Sequence, residues 1–269
     1  MMRAISLHQL CALELSPWQL VEIAAKTGYQ HVCVCTKGPP NPALRFPLVE
    51  ARKAAAFRRH VVDHGLSVLN VEACFLTPTT EISAFREPLE TGYAIGAPSV
   101  TVVSLDPDSS RTRENFQAVC SLAGEIGLRA NLEFMALSPT VATLADAVAE
   151  VRGVENAAVA IDALHLARTG GTAAEIAAID PELIGYVQLC DGPLHRPKDE
   201  WRAEAIGGRQ PPGAGEFPLV DLLRAVPPRL AISLEAPMDH RRDVEGMDAP
   251  ERARLLFESA CSIIERAGQ

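Results

Sequence analysis

At 269 residues, with 48% apolar and 22% charged residues, the chain has ordinary globular composition and enough apolar side chains for a substantial core. Its net charge of −9 argues against a nucleic-acid or acidic-membrane partner, since both call for clustered Lys and Arg. No run of about 18 apolar residues could span a bilayer. The Ala4–Leu7 run is too short for a secretory h-region, and seven cysteines without a C-x-x-C suggest reduced thiols, so a cytoplasmic location is expected.

In chain order, short apolar runs alternate with amphipathic segments. The first strand is expected at Ala4–His8; Ser16-Pro17 then supplies an N-cap and a proline in the first helical turn, and Gly28 stops that helix. A strand at His31–Cys35 precedes a helix over Leu48–His64, whose outer face is basic and which ends at Gly65. Strands at Ser67–Ala73 and Ser99–Leu105 follow, then a helix from Thr112 to Ile126 with Glu114 in its first turn and Gly127 at its end. Strands at Arg129–Phe134, Val159–Asp162, Ile184–Cys190 and Ala231–Glu235 complete the set, with helices at Thr143–Val151, Thr172–Ala178 and Pro250–Ala267.

Several of these strands are nearly continuous in Val, Ile, Leu and Cys, the pattern of parallel strands buried on both faces. Eight strand–helix repeats predict one (β/α)8 barrel occupying residues 1–269 as a single domain. An open dinucleotide-binding sheet would need a glycine-rich turn after its first strand, and His8-Gln9-Leu10 has none. The segment from Asp191 to Glu216 is polar and rich in Pro and Gly; placed after the seventh strand, it is expected to cover an active site.

Polar residues at C-terminal strand ends of such a barrel project onto its catalytic face. The last four strands place Glu133, Asp162, Gln188 and Glu235 there, each ending an apolar run where an uncompensated carboxylate is costly. One strand-end acid is most often just bonded to neighbouring backbone, but a set on successive strands points to a metal site. Oxygen donors alone suit Mn2+ or Mg2+, with Co2+ open and Zn2+ disfavoured. His165, three residues after Asp162 where strand should give way to loop, is placed for proton transfer, or as a partner that orients an acid. Arg209, in the long loop, carries a forked guanidinium suited to a carboxylate or a vicinal oxygen pair. His8, Lys37, Glu72 and Asp191 also lie at or just beyond strand ends and are candidates for contacting a substrate. His31, His60 and His64 lie away from that face, and Asp239, His240, Arg241 and Arg242 read as a solvated rim.

At these residues the chain resembles the xylose isomerase-like barrel superfamily, the sugar phosphate isomerases and epimerases. The resemblance implies a divalent metal held by Glu133, Asp162, Gln188 and Glu235. From Glu133 onward the chain is most similar to the 3-dehydroshikimate dehydratase branch, through Asp162-Ala163-Leu164-His165, Val187-Gln188-Leu189-Cys190-Asp191 and Arg209 to Phe217. That branch implies glutamine as a metal ligand, proton transfer by His165 and a substrate-facing Arg209. The chain departs from it at Ala214, where the branch has glutamate, and at Thr36-Lys37-Gly38 and Glu72-Ala73-Cys74, which lack its His/Arg set.

The expected chemistry is proton removal beside a carbonyl of a small hydroxylated compound, with His165, Glu133 and Glu235 as the proton-transfer groups. A dehydratase is the first expectation. An isomerase or epimerase using Glu133 and Glu235 as two bases is the alternative. A phosphodiester-cleaving barrel of the AP-endonuclease type would need more histidines and a basic groove, and a non-catalytic binding barrel would be favoured if the purified protein bound no metal. Self-association is left open.

Overall fold

The computed structural model describes residues 3–41 and 43–269. Eight parallel strands close into a barrel in sequence order: β1 (Ile5–His8), β2 (His31–Cys35), β3 (Ser67–Leu76), β4 (Ser99–Ser104), β5 (Arg129–Glu133), β6 (Ala157–Asp162), β7 (Ile184–Leu189) and β8 (Ile232–Leu234). Closure is made by β1 against β8, where Ser6 lies beside Ser233 and Leu7 beside Leu234.

Alternation along these strands sends apolar side chains outward, under the helices, and polar ones into the lumen. Bonds between non-neighbouring strands identify the lumen: the Tyr186 hydroxyl of β7 meets Thr101 Oγ1 of β4 at 2.8 Å and Asn70 Nδ2 of β3 at 3.2 Å. Two residues further along, Glu72 and Gln188 therefore also point inward, one layer nearer the C-terminal mouth. The outer layer packs Val32, Val34, Leu132, Ile161, Val187 and Leu234 beneath Leu20, Phe57, Phe116, Leu222 and Leu256. Each such buried side chain contributes roughly 1.5–3 kcal/mol, so the barrel wall is the main source of stability.

The helices are α1 (Pro17–Thr27), α2 (Ala54–Asp63), α3 (Arg86–Ala94), α4 (Ser109–Ile126), α5 (Leu144–Val151), α6 (Ala163–Arg168), α7 (Ala173–Ala177), α8 (Trp201–Gly207), α9 (Leu219–Ala225), α10 (Asp239–Asp243) and α11 (Ala249–Ala267). Ser16 caps α1 through a reciprocal box with Gln19, and Gly28 and Gly127 end α1 and α4 at φ 108° and 102°, a conformation that favours glycine.

The structure corrects the expected helices in several places, and α9 and α10 were not expected. The Leu48–His64 segment becomes helical only at Ala51, first as a 3-10 turn and then as α2. Helix α3 was not expected, because Pro88 and Gly92 lie inside it. The Asp191–Glu216 segment is not irregular throughout, since it contains α8. No helix among the described residues is long and apolar enough to cross a membrane, and all seven cysteines are free thiols.

Candidate active site at the C-terminal mouth of the barrel

Glu133 ends β5 and Asp162 ends β6; Asp162 lies beside Gln188 in β7, which lies beside Ser233, two residues before Glu235. All four are buried, Asp162 and Gln188 completely. The structure thus brings together the four strand-end residues singled out in the sequence.

Asp162 has two jobs in the structure. Its Oδ1 accepts from Leu164 N at 2.6 Å and His165 N at 3.3 Å, so it caps α6, while Oδ2 accepts from Arg209 Nη1 at 2.7 Å. His165 therefore sits in the first turn of a helix and not in a loop, a correction to the sequence reading. Its Nε2 lies 3.6 Å from Glu133 Oε1. Burial, aided by Arg209 and opposed by Asp162, drives its pKa down to about 4, so the imidazole is neutral at pH 7.

Arg209 is buried within the acid set. Beyond Asp162, its Nη2 lies 3.0 Å from Glu235 Oε1, its Nη1 donates to the Glu235 carbonyl at 3.0 Å, and its Nε donates to Ala205 O at 3.2 Å. The guanidinium bridges the acids of β6 and β8 and is not held free for a ligand, which corrects the expectation of a substrate-facing arginine. Two antiparallel bridges on the loop, Asp191 with Gln210 and Gly208 with Met238, hold it there.

The rest of the loop is pinned as well. Arg168 of α6 pairs with Glu204 of α8 through two 2.6 Å bonds and donates to the carbonyls of Pro193 and Leu194. Asp191 accepts from Gly192 N, Gly213 N and Phe217 N, so it organises the loop and does not face the mouth as expected. Lys37 is likewise redirected: its Nζ lies 3.5 Å from Ala84 O and 5.5 Å from the centre of the Phe85 ring.

On the opposite wall, His8 Nδ1 accepts from Leu10 N at 3.1 Å, which puts the ring proton on Nε2. That N–H points between Glu72 Oε1, at 3.4 Å, and Glu235 Oε2, at 3.7 Å. His8, Cys33 and Glu72 bring potential ligand atoms within 4.8 Å of one another, but an Nε2 that carries its proton has no lone pair for a metal. Glu72 also accepts from Thr101 and Asn70.

Burial raises the Glu133 carboxyl well above the carboxylate range, and the charges of Glu235, Asp162 and Glu72 add to it. Burial also lifts Glu235 to about 7, with Arg209 and His8 opposing. For Asp162, burial is outweighed by Arg209 and His165, and for Glu72 by His8, Thr101 and Asn70, so both are held below the ordinary range. Burial would lower the His8 pKa, but Glu235 and Glu72 raise it.

Two features of this set fit a divalent cation. The carboxyls of Glu72, Glu133, Asp162 and Glu235 share a single guanidinium, that of Arg209, and the fully buried Gln188 Oε1 has no hydrogen-bond partner, its Nε2 being turned to Glu235. Glu133, Asp162 and His165 also present ligand atoms within 4.8 Å of one another. The donors are mainly hard oxygens.

The sequence reading missed Asn70, Thr101 and Tyr186, although stepping back by two residues from Glu72 and Gln188 reaches Asn70 and Tyr186. It also missed the Arg168–Glu204 clamp, which carries no local signal.

A closed (β/α)8 barrel with acids and an amide gathered at the ends of β5 to β8 defines a class of barrels with an oxygen-rich mouth. The chain belongs to the xylose isomerase-like TIM barrel family, whose sequence model matches residues 21–258. Its fold is shared by a xylose isomerase-like TIM barrel/4-hydroxyphenylpyruvate dioxygenase fusion protein, at 19% identity and TM-score 0.80 over 96% of this chain; the chain spans 42% of that protein. It is shared by the IOLI protein with a binding zinc atom, at 19% identity and TM-score 0.80 over 98% of each chain. An L-ribulose 3-epimerase is 14% identical, with TM-score 0.72 over 100% of this chain and 96% of its own. At these identities the likeness is one of fold. Comparison with curated proteins gives no match.

Proposed function

We propose that the chain is a divalent-metal-dependent isomerase or epimerase that enolises a small hydroxylated carbonyl compound. The observation that carries this reading is the placement of Glu133 and Glu235 on either side of Asp162 and Gln188, both with raised proton affinity. Glu133, Asp162, Gln188 and Glu235 would hold the cation, Mn2+ or Mg2+ by their donor type. When bound, it supplies a Lewis acid for the substrate carbonyl.

The chain's residues handle the proton. One glutamate takes the α-proton, and the C–H electron pair moves into the carbonyl to give an enediolate. The other glutamate returns a proton to the opposite face, or to the neighbouring carbon, completing epimerisation or isomerisation. Arg209 keeps Asp162 ionised and orients Glu235, and the clamped loop excludes water. The L-ribulose 3-epimerase of the same fold supports the activity, and the zinc atom of the IOLI protein supports a divalent cation without favouring Mn2+ or Mg2+ over Zn2+.

Gln188 and His165 favour a second reading, loss of a β-hydroxyl as in the dehydratase branch. A neutral, buried His165 is a weak acid for that step, and this ranks the dehydratase second.

Exchange of substrate α-protons in D2O, followed by NMR on Mn2+-loaded protein with a panel of hydroxy-ketones, tests the proposal. Glu235→Gln is expected to lower the rate by about 10²–10⁴-fold. An unsaturated product would move the assignment to the lyase. Absence of metal from the purified protein, together with no thermal shift on adding Mn2+ or Mg2+, would sink it.

A further inference from the structure

Strand β8 is three residues long, the shortest in the barrel, and its ladder ends at Leu234, one residue before Glu235. The backbone that carries this glutamate is therefore held by something other than regular strand pairing. On the β7 side, Glu235 N donates to Leu189 O at 3.0 Å, and the Glu235 carbonyl accepts from Arg209 Nη1 at 3.0 Å. On the β1 side the strand has run out, because β1 stops at His8 and passes into a 3-10 turn, Gln9–Ala12.

Cys11 of that turn fills the gap. Its Sγ donates to Leu234 O at 3.1 Å and accepts from Ala236 N at 3.3 Å. One sulfur atom thus bonds both peptide groups that flank the Glu235 α-carbon. With Leu189 O and Arg209 on the other side, every backbone polar group from Leu234 O to Ala236 N has a partner. Burial pushes the thiol up to about 12, so it keeps the proton that its donation requires.

The turn is itself anchored. The fully buried Gln9 accepts from Cys35 N at 2.9 Å through Oε1 and donates to Pro47 O through Nε2, which fastens the turn to β2. Arg252 of α11 donates to Cys11 O at 3.4 Å and to Met247 O at 2.7 Å. A thiol is a weak donor and a weak acceptor, so its two bonds add little net energy. Their value is directional. A group that holds a cation and moves a proton must be kept within about 0.5 Å of its working position, and without the sulfur two buried peptide groups would lose a partner.

We infer that Cys11 is a positioning residue of the mouth: by bridging Leu234 O and Ala236 N, its thiol fixes the backbone from which Glu235 reaches the cation. This rests on the function proposed above, in which Glu235 is a ligand and a proton-transfer group. Cys11 acts through the Glu235 peptides and not as a ligand.

Three variants test the inference. Cys11→Ala removes both bonds, Cys11→Ser keeps a group that can donate and accept, and Cys120→Ala deletes another buried sulfur, on α4, outside the mouth. Exchange of the Ala236 amide is followed by NMR in metal-free protein, and Mn2+ affinity is measured by calorimetry. Cys11→Ala is expected to speed Ala236 exchange by at least about tenfold and to weaken Mn2+ binding by about 10–100-fold. Cys11→Ser is expected to recover most of both, and Cys120→Ala to change neither. Circular dichroism confirms that the variants fold. An Ala236 amide as protected in Cys11→Ala as in the wild type would overturn the inference. So would equal losses in Cys11→Ser or Cys120→Ala, or a loosened Ala236 with unchanged Mn2+ affinity. Failure of the wild type to take up Mn2+ would remove the proposed function instead, and Ala236 exchange would then decide alone whether Cys11 holds this backbone.

Discussion

The two walls of the barrel mouth each carry a glutamate at a strand end, and they hold it in opposite states. Glu133 on β5 takes no hydrogen bond, stands among other acids and has its proton affinity raised. Glu72 on β3 is almost as buried, but it is ringed by Thr101, Asn70 and His8, and its proton affinity is lowered. Burial alone pushes both the same way. What separates them is the supply of donors, which turns one wall into a rigid anion and the other into a set awaiting a cation or protons.

The strongest way to break this contrast is to remove the Arg209 guanidinium that bridges Asp162 and Glu235. Arg209→Met leaves Asp162 and Glu235 uncompensated and is expected to cost about 3–5 kcal/mol in metal-free protein at pH 7, read by urea unfolding. Added Mn2+ should recover more stability in the variant than in the wild type; equal gains would argue that no cation is held between these acids.

Proton linkage gives the next effect, with a sign that separates the walls. Glu235 has a folded pKa of about 7 against an ordinary 4.5, so its contribution to stability is complete below pH 4.5 and is lost as pH rises through 7. The loss is on the order of 3 kcal/mol from this group, and Glu133 acts in the same direction. Glu72 and Asp162, with lowered values, contribute above the ordinary carboxylate range and lose that contribution on acidification. Unfolding of EDTA-treated protein at pH 5 and pH 7.5 should show the balance, and Mn2+ should flatten the decline toward pH 7.5. A decline of equal slope with and without Mn2+ would count against a cation in this set.

Thr101→Val sharpens the contrast from the other wall. It deletes the 2.7 Å donor to Glu72 Oε1 and is expected to cost about 2 kcal/mol. It should also move Glu72 toward Glu133's behaviour, with a higher pKa in a carboxyl-carbon NMR titration. The smallest effect is expected from Lys37→Ala, within about 0.5 kcal/mol of wild type in thermal unfolding, and with substrate affinity unchanged. A marked loss of affinity would return Lys37 to the mouth.

Much of the metal-type site was legible in the sequence because it depends on a short period. An apolar run ending in Glu133, Asp162, Gln188 or Glu235 places that residue at a strand end, and parallel strands in sequence order place successive ends side by side. The same period, stepped back by two, leads from Glu72 to Asn70 and from Gln188 to Tyr186. The positions of Arg209 and Lys37 were not legible. Both are long side chains on irregular segments, and where each one ends is decided by partners far away in sequence, Asp162 and Glu235 for one and Ala84 for the other. His165 was expected in a loop because Ala163-Leu164-His165-Leu166-Ala167-Arg168 is too short to show a helical period; Asp162 makes it a helix by capping it.

The sequence by itself therefore determined the closed parallel barrel, the positions of most of its helices, and which oxygen-bearing side chains reach its mouth. Those outcomes follow from local alternation, capping and breaking signals. Only the tertiary structure decided which acid is compensated by a guanidinium, which by neutral donors and which by nothing. Proton affinity in a buried site depends on groups brought within a few ångströms by the closing of the barrel, and sequence spacing does not encode those distances.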